Sequence, residues 1–270
     1  FDYNRMSADI DESLESLMSN QSPNGGWPWY KGMRDNRYIT QYIVSGIGHL
    51  KSLGIAFKED QVLQKAINYM DERIIEDYEK LIRDKRDLSI NNLSYDQIYY
   101  LYARSFFIDI ALPTNKTAFN YYIQQATEFG LKQSIYSKGM IALALNRFKP
   151  ANKTSLELLK SLEDFAIFDD EMGMYWKSNS GGYYWHNAKI ETHALLIEAF
   201  DEITHNQELV DELKIWLLKQ KQTQAWPSSK STAVACYALL MRGTDLLKTK
   251  GEINIQMGTK RINSEEQLAE

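Results

Sequence analysis

Apolar residues along most of this chain recur every three or four positions, the spacing that places them on one face of an α-helix. The pattern predicts helices over residues 7–19, 39–53, 59–83, 93–110, 115–129, 133–148, 154–165, 190–203, 207–219 and 231–241. The expected boundaries follow from local chemistry. Ser7 is positioned to cap the first helix, Gly54 and Gly130 to end the second and fifth, and Pro113 and Pro150 to stop the fourth and sixth. Two kinds of helix alternate. Those at 7–19, 59–83, 115–129, 154–165 and 207–219 carry one charged face, whereas those between them are apolar on more sides. A helix apolar on all sides is a buried one. The expectation is an all-α fold, an α/α toroid of about five outer/inner helix pairs over residues 1–250. An α-solenoid is the alternative, although its repeats are shorter and more uniform. After residue 250 the period changes: Ile253, Ile255 and Met257 alternate as in a strand, predicting a short C-terminal strand segment that begins a following β domain at 251–270.

One supersecondary unit recurs. QSPNGGWPWYKGMRDNRYITQYIVSGIGHL, residues 21–50, sets Gly25 and Gly26 beside Trp27 and Trp29, then a polar connector, then Thr40 near the start of an apolar helix. SGGYYWHNAKIETHALLIEAF at 180–200 and QTQAWPSSKSTAVACYALL at 222–240 repeat the order of aromatic turn, threonine and apolar helix. In the first helix of this type Ile39, Tyr42, Ile43, Ile47, Leu50 and Leu53 form the apolar stripe. Gly46 and Gly48 inside it cost up to about 1 kcal/mol each relative to alanine, which predicts close packing against a neighbour. The loop of about twenty residues after 165 is long enough to predict a function or a structured excursion.

Composition narrows the classes. At 44% hydrophobic and 12% aromatic residues the chain can bury a sizeable core. A net charge of −5 with acids and bases interspersed argues against nucleic acid or an anionic membrane as partner. No apolar run approaches the roughly 20 residues of a membrane span. The single cysteine, Cys236, excludes an internal disulfide and a cysteine-rich metal site, and its setting among Ala and Leu reads as a buried structural thiol. The chain opens at Phe1 without a signal-peptide pattern and is read as an excised or mature piece.

The segment QSPNGGWPW followed by YITQYIVSGIGHLKSLGI, the segment GGYYWHNAKIETHALLIEAF, and the run WLLKQKQTQAWPSSKSTAVACYALLMRGTDLL resemble the thioester-containing domain of bacterial alpha-2-macroglobulin-like proteins of the Bacteroidetes type. The resemblance covers most of residues 21–257. It implies a toroidal domain within a large extracytoplasmic protein of β-sandwich domains that traps proteases. Its partners would be the flanking domains of its own chain and the target proteases. The family joins a Cys and a Gln of a Cys-x-x-Gln pattern into a thioester, but Cys236 is followed by Tyr237, Ala238 and Leu239. The family's thioester would lie ahead of Ser7, so the resemblance implies a ring incomplete on its N-terminal side. A protease-inhibitor domain without catalysis and without a cofactor is the first expectation.

The competing expectation is a toroid lyase or glycosidase acting on polysaccharide, with Glu191, His193 and Tyr184 as its acids and bases. His186, Glu191 and His193 form H-x4-E-x-H, but Glu191 and His193 are two apart and point from different helix faces, which argues against a shared metal. His193 is expected to be a satisfied core or cavity histidine, and His49 and His205, near helix ends, to serve polar or capping roles. Asp9, Asp11 and Glu12 resemble the acidic motifs of terpene cyclases but open an amphipathic helix, and Asp169, Asp170 and Glu171 read as a solvated loop. The remaining candidate is a surface of aromatic rings. Trp27, Trp29, Tyr30, Trp176, Tyr183, Tyr184, Trp185 and Trp226, with His193, would bind a glycan or peptide if the turns met on one face, and would pack the turns together otherwise.

Overall fold

In the computed structural model, residues 3–55, 57, 59–180, 188–223, 226–241, 255–257 and 260–262 are described. Ten α-helices lie among them: α1 (Tyr3–Ser19), α2 (Arg37–Ser52), α3 (Asp60–Arg83), α4 (Tyr95–Ser105), α5 (Thr117–Phe129), α6 (Ile135–Phe148), α7 (Lys153–Glu163), α8 (Lys189–Thr204), α9 (Gln207–Thr223) and α10 (Ser229–Leu240). Three antiparallel strand pairs join them: β1 (Trp27–Pro28) with β2 (Asp35–Asn36), β3 (Ile167–Asp169) with β4 (Gly173–Tyr175), and β5 (Ile255–Met257) with β6 (Lys260–Ile262).

The even-numbered helices pack in succession, α2 on α4, α4 on α6, α6 on α8 and α8 on α10, and form the inner layer. Their sequences explain it. Every residue of α4 from Gln97 to Ser105 is buried, as is every residue of α8 from Ile190 to Asp201. The odd-numbered helices lie outside: α3 against α2 and α5, α7 against α6, and α9 against α8. In α3 only one stripe is buried, including Leu63, Ile67, Met70 and Ile74. The molecule is the all-α toroid that the alternation predicts. Side chains of the first and last inner helices also meet. Lys230 Nζ of α10 donates to Tyr38 Oη of α2 at 3.3 Å, and Tyr237 stacks on His49 with centroids 4.0 Å apart.

Several local expectations are corrected. Helix α1 starts at Tyr3, so Ser7 stands inside it and not at its start. Leu14 and Leu17 of α1 also face the central cavity, where a purely outer helix was expected. Helix α4 ends at Ser105, well before Pro113. The reason is Arg104, fully buried, whose guanidinium donates to the carbonyls of Phe107, Ile110 (2.8 Å) and Ala111 (3.1 Å) and so holds the chain in a turn. Its Nε lies 3.3 Å from Asp71 Oδ1, which also accepts from Tyr100 Oη at 2.7 Å. Helix α10, expected to be enclosed, buries only Ser231, Ala235 and Ala238, because one side of it opens to the cavity.

The first aromatic turn and the long loop share one construction. Trp27 Nε1 donates to Leu17 O at the end of α1, and Trp176 Nε1 donates to Leu162 O at the end of α7, each at 2.8 Å. Gly25, at φ 92°, lies against the Lys65 carbonyl of α3; Gly173, at φ 70°, lies against the Glu212 carbonyl of α9. At both places the backbone needs a left-handed conformation and a contact that any Cβ would block. The partner of Trp27 in the repeat is therefore Trp176, on the β3–β4 hairpin, and the long loop is in part a packed hairpin. Thr40, Thr192 and Thr232 each stand four residues after their helix N-caps, Asn36, Ala188 and Ser228. The Thr40 and Thr232 hydroxyls donate back to those cap carbonyls (2.9 and 3.1 Å), and Thr40 Oγ1 also accepts the Trp27 backbone N–H at 2.9 Å.

Candidate functional site: the central cavity

The inner helices leave a cavity of about 510 Å³ on the toroid axis. Each contributes residues at helical spacing. Tyr42, Ser45 and His49 come from α2, Tyr99 and Tyr102 from α4, Tyr136 from α6, Glu191 and Glu198 from α8, and Lys230 and Tyr237 from α10. Intervals of three, four and seven put such residues on one face of a helix, here the face turned inward. The predicted apolar stripe of α2 behaves accordingly. Tyr42, Ile43 and Leu50 line the cavity, while the polar-looking Thr40, Gln41 and Ser45 are buried.

A charged cluster occupies one part of the lining. Glu198 is buried; its Oε1 accepts from Arg147 Nη2 at 2.7 Å and its Oε2 from Tyr102 Oη at 2.7 Å. Arg147 also grips Glu202, with Nε 2.9 Å from Oε1 and Nη2 2.6 Å from Oε2, and its guanidinium lies over the Phe106 ring at 3.9 Å. His49 Nε2 is 2.8 Å from Tyr102 Oη and 3.5 Å from Glu198 Oε2. Burial opposes the charge on Glu198, but His49 and Arg147 outweigh it, with hydrogen bonds from His49 and Tyr102, and hold the carboxyl down at about 2. Burial, reinforced by the Glu198 charge, drives the Tyr102 hydroxyl well above its ordinary value. The cluster is a carboxylate kept ionised and a phenol kept neutral, each committed to its neighbours.

Elsewhere in the lining, Glu191 Oε1 accepts from Ser231 Oγ at 3.0 Å, and the Lys230 ammonium lies over the Tyr42 ring at 5.5 Å. Burial lowers the Lys230 pKa, and the Glu191 charge partly restores it. The only cysteine, Cys236, is exposed and lines the cavity. It is not the buried thiol expected from its apolar neighbours, since α10 turns that side to open space.

The aromatic candidates separate. Trp27 and Trp176 are buried anchors at 1% and 2% exposure and belong to no surface. Trp29 is half-exposed and stacks on Tyr38 at 6.1 Å, and Tyr30 is exposed on the β1–β2 connection. Trp226 is half-buried beneath the Lys221 ammonium at 5.2 Å. Tyr183, Tyr184, Trp185 and His186 lie outside the described residues. His193 is fully buried on the far side of α8 from the cavity, its Nε2 2.8 Å from Leu213 O and its ring 4.2 Å from that of Trp216. Burial lowers its pKa to about 4, so the ring is neutral. Glu191 and His193 thus point to opposite sides of α8 and do not converge as an acid–base pair. No group of three or more metal-ligating side chains occurs among the described residues. Asp169 Oδ1 accepts the backbone N–H groups of Glu171 (2.9 Å) and Met172 (2.8 Å) and closes the β3–β4 turn. The charged cluster was missed because His49, Arg147 and Glu198 lie far apart in sequence. The inward spacing of Glu191 and Glu198, and of Tyr99 and Tyr102, was the available signal.

This architecture is that of the toroid of alpha-2-macroglobulins. Native alpha-2-macroglobulin from Escherichia coli, in a crystal structure running from domain MG7 to the C-terminus, superposes with a TM-score of 0.59 at 14% identity over 97% of this chain and 38% of that one. The trypsin-activated protein from the same organism gives 0.56 at 14% identity, over 96% of this chain and 16% of that one. A cryo-EM reconstruction of its native conformation gives 0.55 at 15%, over 97% and 15%. The chain therefore spans under two-fifths of the length of these relatives. No curated protein matches it in sequence. Residues 108–241 match the family model of the A-macroglobulin TED domain. Over residues 108–241 the chain is similar to the thioester-containing domain of the A-macroglobulins, and nearly its whole length shares the toroid fold of the alpha-2-macroglobulin structures.

Proposed function

We propose that this chain is a non-catalytic, structural domain of an extracytoplasmic alpha-2-macroglobulin-like protease trap, and that it forms no thioester itself. The observation that carries the reading is the family match over residues 108–241 on a fold shared with alpha-2-macroglobulin across nearly the whole chain. One of those structures is of a trypsin-activated protein, which makes a protease the first partner to test. The flanking domains of the longer protein are the other partners, with the β5–β6 pair leading into the next of them. Cys-x-x-Gln does not occur in the 270 residues, so a covalent bond from this chain to a target is not part of the reading.

The test uses the natural protein that contains this chain, mixed in excess with trypsin. Trypsin is expected to keep its activity on a small chromogenic peptide and to lose it on casein. Undiminished casein digestion would sink the proposal. Radiolabelled methylamine is expected to leave the peptides of these 270 residues unlabelled, and label recovered as a glutamyl methylamide in any of them, with release of the Cys236 thiol, would contradict the thioester-free reading.

A further inference from the structure

We propose that a recess between the start of α6 and the end of α7 binds a small aromatic carboxylate. This inference is independent of the protease-trap reading. The recess measures about 310 Å³, at the lower end of the roughly 300–1,000 Å³ of small-molecule sites. Two lysines line it, Lys138 of α6 and Lys177 just after β4. Lys138 Nζ donates to Ser161 Oγ at 3.0 Å, Lys177 is exposed, and neither makes an ion pair among the described residues. The lining includes no acid among the described residues. In a chain of net charge −5 this sets the recess apart. The recess beside α3 sets Asp77 and Asp84 against Lys80 and Arg86, and the central cavity sets Glu191 and Glu198 against Lys230.

The charge selects an anion, and the rest of the wall narrows its kind. Ile135 and Lys138 lie in the first turn of α6, so the partial positive charge at the start of that 14-residue helix adds to the two ammonium groups. At the carbonyl end of α7, Leu162 O already takes Trp176 Nε1. Glu163 and Asp164 follow it but are exposed and outside the lining, where water and salt screen them. Ser161 and Ser178 bring hydroxyls to the wall, and Ser161, an acceptor from Lys138, keeps its own hydrogen to donate. A carboxylate has lone pairs for all of these donors. Lysine reads charge and not planar shape, so the selection is for an anionic head over a neutral or cationic one. The body is set by Phe165. It lines the recess at 78% exposure, the highest of the large hydrophobic side chains among the described residues. The buried Trp176, its N–H engaged by Leu162 O, forms the apolar floor. An aromatic ring covers the Phe165 face that water now meets, and the volume leaves room for one such ring with a compact head.

The natural protein that contains this chain is irradiated with 4-benzoylbenzoate, an aryl carboxylate that cross-links under near-ultraviolet light, and the labelled peptides are identified by mass spectrometry. Label is expected in the peptides that carry Phe165 and Lys177. 4-Phenylbutyrate is expected to displace it. The neutral amide of that acid should need a concentration about tenfold higher or more, as the loss of a hydrogen bond to a charged group implies, and cationic 4-phenylbutylamine should not compete. Lys138→Met combined with Lys177→Met is expected to lower the labelling about tenfold on the same grounds. Lys177→Gln alone, at an exposed position, is expected to lower it several-fold, and keeps the test valid if the double variant does not fold. Phe165→Ser should also lower it several-fold. Absence of label from the peptides of residues 135–178 overturns the proposal. So does equal displacement by acid and amide, which would mean an apolar crevice without recognition of the head. Labelling unchanged in the folded lysine variants overturns it as well.

Discussion

Gly46 and Gly48 sit two residues apart in α2 and look alike in sequence, yet their surroundings differ. A Cβ on Gly48 would collide with the Phe106 ring, whereas one on Gly46 would meet nothing within 4 Å. Close packing was expected at both and occurs at one. Gly48→Ala should lower the stability measured by urea unfolding by about 1–3 kcal/mol, and Gly46→Ala should raise it by about 0.5–1 kcal/mol. His193 makes a second prediction. Its folded pKa of about 4 lies below the unfolded value near 6.5, so between those values the unfolded chain binds more protons. Stability is full above pH 6.5 and falls as the pH drops toward 4, by roughly 2–3 kcal/mol from this ring. Urea titrations from pH 7 to pH 4.5 should show that slope in the native chain, and His193→Phe should flatten it. An unchanged slope would mean that another group carries the acid sensitivity.

Elements behave as their sequence periods require, except where a single side chain intervenes. The amphipathic α3 and the fully buried α8 follow from the pattern alone, because the width of an apolar stripe measures how much of a helix must leave water. The end of α4 does not, because it depends on Arg104 drawing together carbonyls from the following turn. The aromatic turns lie between these cases. Glycine and tryptophan mark a turn locally, but the equivalence of Trp27 and Trp176 appears only when both indoles are seen to donate to the end of the preceding outer helix. Trp27→Phe and Trp176→Phe should therefore cost similar amounts, about 1–2 kcal/mol each for the lost bond. The double variant should be additive in thermal or urea unfolding if the two turns act as separate staples.

Across the whole molecule, Glu198 joins α8 to α6 through Arg147, to α4 through Tyr102 and to α2 through His49. Its carboxyl is held at about 2, below the unfolded value near 4.3. The sign is that of a depressed acid: the stability it contributes is present above about pH 4.3 and is lost as the pH falls toward 2. Removing one partner of a buried charged pair costs about 3–5 kcal/mol. Glu198→Gln should cost an amount of that order at neutral pH, and its deficit against the native chain should shrink as the pH drops below about 4. Equal deficits at pH 7 and pH 3 would show that Glu198 is not held ionised by the ring.

The order of the helices, the all-α class and most of the division into outer and inner were legible in the sequence, because periodicity records which faces must leave water; α1 and α10 were the exceptions. Which inward residues meet was not legible. Glu198, Arg147 and His49 come from three different helices, and only the packing of the inner helices brings them together. The open space beside Cys236 and the unmet oxygen of Glu191 are likewise properties of the ring. A cavity is defined by what surrounding elements leave unfilled, and no single stretch of chain encodes that volume.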